Sequence, residues 1–257
     1  MGHVDQPPVA VVRDASPSQP SRERDQLLFL LAQLVGPLAQ AFPGTAEVLL
    51  HDLSKLPNSI VAIAGDVTGR HVGDPATDVL LRHLKSGDTS PLVGYRTELP
   101  GGREGRSTTV ILRLDTGEPA AALCVNSDVT DWRTVSTLLD GLLTLGGRDL
   151  RRGAAPELRT PDPSAAPVQG GEIFAHSVDD LADAVIGQAI ASTGMPVELM
   201  KKRHKLRVVA ELESRGLFMV RDAVEMAATA LRVSRYTIYN YLNELAAERD
   251  AQNPNRP

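Results

Sequence analysis

The residues with the clearest chemistry lie near the end of the chain, in Val233–Leu242, VSRYTIYNYL. On a helix, Ser234, Arg235, Tyr236, Tyr239, Asn240 and Asn243 face outward, while Val233, Ile238, Tyr241, Leu242 and Leu245 line the opposite side. Arg can hold a guanine edge with two hydrogen bonds, and Asn can hold adenine in the same way. Ser and Tyr hydroxyls can bond phosphates and fix register. With Arg232 just ahead, these residues are the expected DNA contacts. Lys201 and Lys202, in the cluster KKRHK, are expected to add phosphate contact, whose affinity comes from counterion release. The plainer alternative for each group is a solvated helix face.

Such a face needs helices to present it. Arg221–Leu231 is rich in Ala, Glu and Met and predicts a first helix. After a break at Arg232 and Val233, Ser234 is placed to cap a second helix running toward Arg249. Two short helices joined by a tight turn make a helix-turn-helix. The first turn position is often Gly in such motifs. Arg stands there in this chain, which suggests a helical turn that needs no Gly. Ser177–Ser192 and Val197–Ser214 are predicted as two supporting helices, with Gly216 ending the second.

The N-terminal half reads differently. An amphipathic helix over Ser21–Phe42 carries Leu27, Leu30, Leu31, Leu34, Val35 and Leu38, and Pro37 is placed to kink or end it. It serves equally as a core helix or a dimer-forming one. Strands are predicted at Ala46–Leu53, Ser59–Ala64, Val93–Leu99, Ser107–Leu114 and Ala120–Asn126, with helices at Thr77–Lys85 and Thr130–Leu145. The fold class expected is an α/β (α+β) PAS-like sensor domain with an antiparallel sheet, plus an all-α helix-turn-helix domain. The expected divisions are a disordered start over 1–20, the sensor over 21–148, a Pro-rich linker over 149–175, the helical domain over 176–250 and a disordered tail over 251–257.

Polar residues at strand ends and in loops of the sensor form a second candidate site: His51, Asp52, Arg70, Asp74, Ser107, Asn126 and Asp128. Arg70 could take a ligand carboxylate through two bonds. Asp128 or Asp52 could take an amine, with Asn126 and Ser107 orienting the molecule. That set suits an amino acid or a related metabolite. The competing role is structural, since buried polar groups often satisfy loop backbone, and Asp74 could hold Arg70 within one loop. His51, Ser107 and Asp128 include the residue types of a hydrolase. The sequence has no G-x-S-x-G, however, and Ser107 falls within a strand, so no enzyme is expected. The six histidines are scattered and Cys124 has no second cysteine, so no metal or other cofactor is expected.

Composition agrees. The net charge of −5 is unevenly spread: ten basic against seven acidic residues give +3 over Met195–Arg249, leaving −8 elsewhere. A basic end on an acidic body suits phosphate attraction at one place. The single cysteine fits a reducing cytoplasm, and no signal peptide or apolar membrane span is read.

The segments EVLLHDL, NSIVAIAG, TGRHVGDPATD and GREGRSTTVILRLDTGEPAAALCVNSDVT together resemble the YheO-like PAS domain of bacterial regulators. KLRVVAELESRGLFMVRDAVEMAATALRVSRYTIYNYL is similar to the helix-turn-helix that accompanies it in DauR-like repressors. The resemblance covers most of residues 25–248. It implies a cytoplasmic one-component transcriptional regulator. Double-stranded DNA and a small-molecule effector are the expected partners. Because one helix-turn-helix reads one half-site, a homodimer or higher oligomer is expected, in contact through Ser21–Phe42 and Thr130–Leu145. The alternative class is a PAS-type signalling adaptor whose helical hairpin binds protein.

Overall fold

The structure is a computed structural model and describes residues 19–42, 44–145 and 172–252. Most of the expected tails and of the expected linker lies outside the described residues; at the edges, Gln19 and Pro20 belong to the first helix and Ala251 and Gln252 to the last. The N-terminal half runs α1 (Gln19–Ala41), β1 (Ala46–Asp52), β2 (Ile60–Ala64), α2 (Asp78–Ser86), β3 (Leu92–Leu99), β4 (Arg103–Arg113), β5 (Pro119–Asp128) and α3 (Thr130–Leu145). The strands form one antiparallel sheet in the order β2-β1-β5-β4-β3.

Alternation along the strands gives the sheet two faces of different character. Val48, Leu50 and Ala121 pack against Val35, Leu31 and Leu38 of α1. The helix passes through Pro37 to Ala41 rather than ending there. Pro37 removes one backbone bond, and the contacts of Leu38 and Ala39 with the sheet hold the last turn in place. The other face carries Glu47, Leu49 and His51 from β1. In register with them across the sheet are Asn126, Cys124 and Ala122 of β5 and Ser107, Thr109 and Ile111 of β4. Tyr95 of β3 stands opposite Ser107. β4 begins at Arg103, earlier than expected, because Arg103–Arg106 pair back with β3 across the Gly101-Gly102 turn.

Thr77 caps α2 by accepting a bond from the amide of Leu80, and Gly87 ends the helix in the left-handed region. The C-terminal half is α4 (Val178–Ala191), α5 (Lys202–Ser214), α6 (Ala223–Ala230) and α7 (Arg235–Gln252). Ser177 caps α4, accepting from the amide of Asp180. The helix expected over Val197–Ser214 is interrupted: a short 3-10 turn at Val197–Leu199 precedes α5, and Met200 between them is buried.

The two halves share one apolar core. Leu80 and Leu81 of α2 pack with Leu181 and Val185 of α4, Val208 and Leu212 of α5, and Leu217. Gly216 follows α5 with φ 74, and a Cβ there would sit 2.8 Å from the carbonyl oxygen of Leu81. Only glycine permits both that conformation and that approach.

Candidate nucleic-acid interface and sensor site

The helix-turn-helix is α6, the turn Leu231–Ser234, and α7. The expected helical turn is not what forms. Arg232 itself takes the left-handed conformation, with φ 51. Its amide bonds the carbonyl of Thr229 at 3.1 Å, and that of Val233 reaches Ala228 at 2.9 Å. These are the two bonds of a Schellman motif, which stops a helix sharply and usually has glycine at the left-handed position. Ser234 then caps α7, its hydroxyl accepting from the amide of Thr237 at 3.1 Å. Ile238 and Tyr241 are buried against the shared core, with Val233, Leu242 and Leu245 beside them. That burial fixes the rotation of α7 and leaves Ser234, Arg235, Tyr236, Tyr239, Asn240 and Asn243 exposed together.

Several of the cations are paired across the surface. Arg235 meets Glu225 of α6 at 3.3 Å, Arg232 meets Glu198 at 2.9 Å, and Lys202 meets Glu244 of α7 at 2.7 Å. Exposed pairs of this kind are screened by water and add little stability, so a phosphate or base can replace the carboxylate at small cost. The KKRHK cluster divides. Lys201, Lys202 and Arg203 are exposed. Lys205 instead turns inward, its Nζ donating to the carbonyl of Leu231 at 2.7 Å, where it holds the end of α6.

In the N-terminal half, the sheet face opposite α1 is polar and buried. Glu47, fully buried, accepts bonds from the amides of Val67 and Thr68, the Thr68 hydroxyl and Asn126 Nδ2. Arg70 lies beside it, with Nη2 3.9 Å from Glu47 Oε1 and Nε donating to Thr68. Ser107 donates to Asn126 Oδ1 at 2.8 Å. Arg70, Ser107 and Asn126 therefore gather around Glu47. His51 lies on the same face, Nδ1 2.9 Å from Ser59 Oγ, and burial together with the charge of Arg70 lowers its pKa to about 3. Burial pushes the Cys124 thiol up to about 11, which makes it an unreactive core group.

The other three expected ligand residues are engaged elsewhere. Asp52 caps the turn after β1 through Ser54 and pairs with Lys55. Asp74 accepts from the amide of His71 rather than from Arg70, and lies 3.5 Å from His176. The ligand atoms of His71, Asp74 and His176 fall within 4.8 Å of one another, a grouping of histidines not evident from their scatter in sequence. Asp128 pairs with Arg103 at 2.9 Å and bonds the amide of Thr130 at the start of α3. The proposed amine partners thus lie in separate hydrogen-bonded groups, as do the three hydrolase residue types.

Sequence reading missed Glu47, Tyr95, Thr77, Asp78, Glu172 and Arg215. Glu172, at the end of the expected linker, accepts from the hydroxyls of Thr77 at 2.8 Å and Tyr95 at 3.2 Å. Burial raises the pKa of Glu172. Burial, then the nearby Glu172 carboxyl, raises that of Tyr95 far enough to keep its hydroxyl a donor. Phe174 stacks over Arg70 with 5.0 Å between the guanidinium carbon and the ring centre. Asp78 is wholly buried. Its carboxylate accepts from Arg215 at 2.6 Å, from Arg82 at 3.1 Å and from the amide of Ile173 at 2.9 Å. The alternation of Glu47 with Leu49 and His51 was a usable signal; nothing local marked Glu172 or Arg215.

Family comparison agrees with this geometry. Residues 22–144 match the YheO-like PAS domain and residues 181–243 match an HTH domain. The chain joins a YheO-like PAS domain to a C-terminal HTH domain. Over 217 residues it is 29% identical to the uncharacterized protein YheO of Escherichia coli (strain K12), covering 82% of this chain and 81% of that one. It is 27% identical over 210 residues to the transcriptional regulator DauR of Pseudomonas aeruginosa, covering 81% and 89%. A crystal structure of the phage VqmA-DPO complex aligns over 88% of this chain and 90% of that one, at a TM-score of 0.32 and 11% identity. That likeness is too low to bear on fold or ligand.

Proposed function

We propose that this regulator reads operator DNA with the exposed face of α7, acts as a homodimer, and changes its DNA affinity when a small metabolite binds the polar face of the PAS sheet. The observation that carries the DNA reading is the rotation of α7. Burial of Ile238 and Tyr241 turns Arg235, Tyr239, Asn240 and Asn243 outward as one surface. Such a helix fits the major groove, where Arg and Asn discriminate bases. The exposed Lys201 and Lys202 at the start of α5 supply phosphate contact beside it. A protein-docking face would expose more leucine.

The sensor reading rests on two buried polar atoms that make no hydrogen bond, Arg70 Nη1 and Thr97 Oγ1, on a sheet face otherwise well satisfied. Groups of that kind call for a partner. An amino acid or related carboxylate is the first class to test. Capture of genomic fragments by the purified protein, followed by anisotropy titration of the recovered sequence against a scrambled one, tests the DNA reading. Equal affinity for both sequences would favour the adaptor alternative.

A further inference from the structure

The polar face of the sensor already holds part of the chain. We propose that Glu172–Phe174 is a built-in ligand of the PAS site, which an effector must displace, and that the effector is a small carboxylic acid bearing a planar ring. This rests on the reading of that sheet face as a sensor.

Three contacts define the segment as an occupant. The Glu172 carboxyl accepts from Thr77 and from Tyr95, whose hydroxyl is itself 3.2 Å from Thr109 of the sheet. The ring of Phe174 covers the Arg70 guanidinium. The amide of Ile173 between them donates to Asp78. A carboxyl on hydroxyl donors and a flat ring over a buried cation are the recognition elements of a ring-bearing acid, supplied in cis. The occupation is incomplete: Arg70 Nη1, buried beneath the ring, makes no hydrogen bond. Glu172 does not form an ion pair with it. Arg70 Nη2 has Glu47 at 3.9 Å, whereas a free acid, not constrained by the backbone, could reach Nη1.

The segment lies at an opening. A cleft of about 350 Å³ is bounded by Leu99, Gly101 and Gly102 on the sensor side, by Glu172 and Phe174, and by Gln188 of α4. Gln188 accepts from Arg215 at 2.8 Å, and Arg215 is the partner of Asp78. Release of the segment takes the Ile173 amide away from Asp78, the residue that joins the sensor to the base of the helix-turn-helix. Sensor occupancy is thereby linked to the DNA-binding half through one shared carboxylate.

A site filled by its own chain for most of the time weakens apparent ligand affinity by the fraction left open. The test is 3-phenylpropionate, titrated calorimetrically into the full chain and into the double variant Glu172→Ala with Phe174→Ala. The variant is expected to bind at least tenfold more tightly, and Arg70→Met added to it should abolish the gain. In the wild-type chain, saturating 3-phenylpropionate should accelerate hydrogen exchange at the Ile173 amide. That second measurement needs no variant to fold. Equal affinity in both chains, or unchanged exchange at saturation, would overturn the displacement while leaving the sheet face as a ligand site. Absence of binding by a folded double variant would overturn the ligand class. DNA titrations on the same preparations report separately on the α7 reading.

Discussion

At His51, folding imposes a charge state. Its ring is buried and neutral with a pKa of about 3, while the unfolded chain takes up the proton near the ordinary value of 6.5. Between those values the unfolded state binds more protons. Stability is therefore full above about pH 6.5 and falls as pH drops, by up to about 1.4 kcal/mol per unit. Glu172, raised by burial, acts with the opposite sign, so comparison with a variant is needed to isolate His51. Urea unfolding from pH 7.5 to 5.5 should show the wild type losing about 1 kcal/mol more than His51→Gln. Parallel curves would mean that the imidazole is accessible to protons in the fold. Arg232 bears a different local cost. A left-handed non-glycine residue costs roughly 1–2 kcal/mol, and its ion pair with Glu198 is exposed. Arg232→Gly should raise stability by about 1 kcal/mol while weakening DNA binding. An unchanged urea midpoint would show that interactions of the Arg232 side chain offset the strain.

The helices differ in what their charges do. Lys201, Lys202 and Arg203 crowd the start of α5, where the helix dipole disfavours cations. A local conflict of that sort is characteristic of a functional site. On α7, Arg235 and Asn240 are exposed while Ile238 between them is buried. Two phenotypes should follow. Arg235→Ala should weaken cognate binding by roughly 1–3 kcal/mol and barely affect random DNA. Lys201→Ala with Lys202→Ala should weaken both equally and flatten the salt dependence by about one unit of slope for each phosphate no longer neutralised. Measuring both variants on both DNAs across a salt series separates the roles. Equal weakening on both DNAs for Arg235→Ala would demote it to a backbone anchor.

For the whole molecule, two features concern how parts meet. Residues 131–139 of α3 are all exposed, including Trp132, Val135, Leu138 and Leu139 at helical spacing, and α1 exposes Phe29, Leu30 and Leu34. Apolar surface of this extent fits a second copy, and a two-fold dimer would present two recognition helices to two half-sites. Sedimentation should give a dimer at micromolar concentration, and Val135→Glu with Leu138→Glu should give a monomer with at least tenfold weaker operator binding. A wild-type monomer, with and without DNA, would remove this reading. Within one chain, Asp78–Arg215 ties the PAS half to the helical half inside the shared core. Arg82 and the Ile173 amide stay on the Asp78 carboxylate, so Arg215→Ala should cost about 1.5–3 kcal/mol, the range of one hydrogen bond to a charged group, read as a lowered urea midpoint.

The sequence by itself determined the local structure: the five strands with one helix among them, the start of α4 at Ser177, and the outward set on α7. Each follows from patterns within a few residues, because side-chain period and capping are local physics. It also named Ser107 and Asn126, polar residues inside apolar strands, and Arg70 in the loop between β2 and α2. Only the tertiary structure decided which polar groups meet. Strand register aligned Glu47, Asn126, Ser107 and Tyr95 across the sheet. Asp78 and Arg215, 137 positions apart, and Thr77 and Glu172, 95 apart, became partners through packing. Asp52 and Asp128 were drawn to nearer hydrogen bonds by the same packing. Pairings over such separations depend on how elements stack, and no local pattern encodes that.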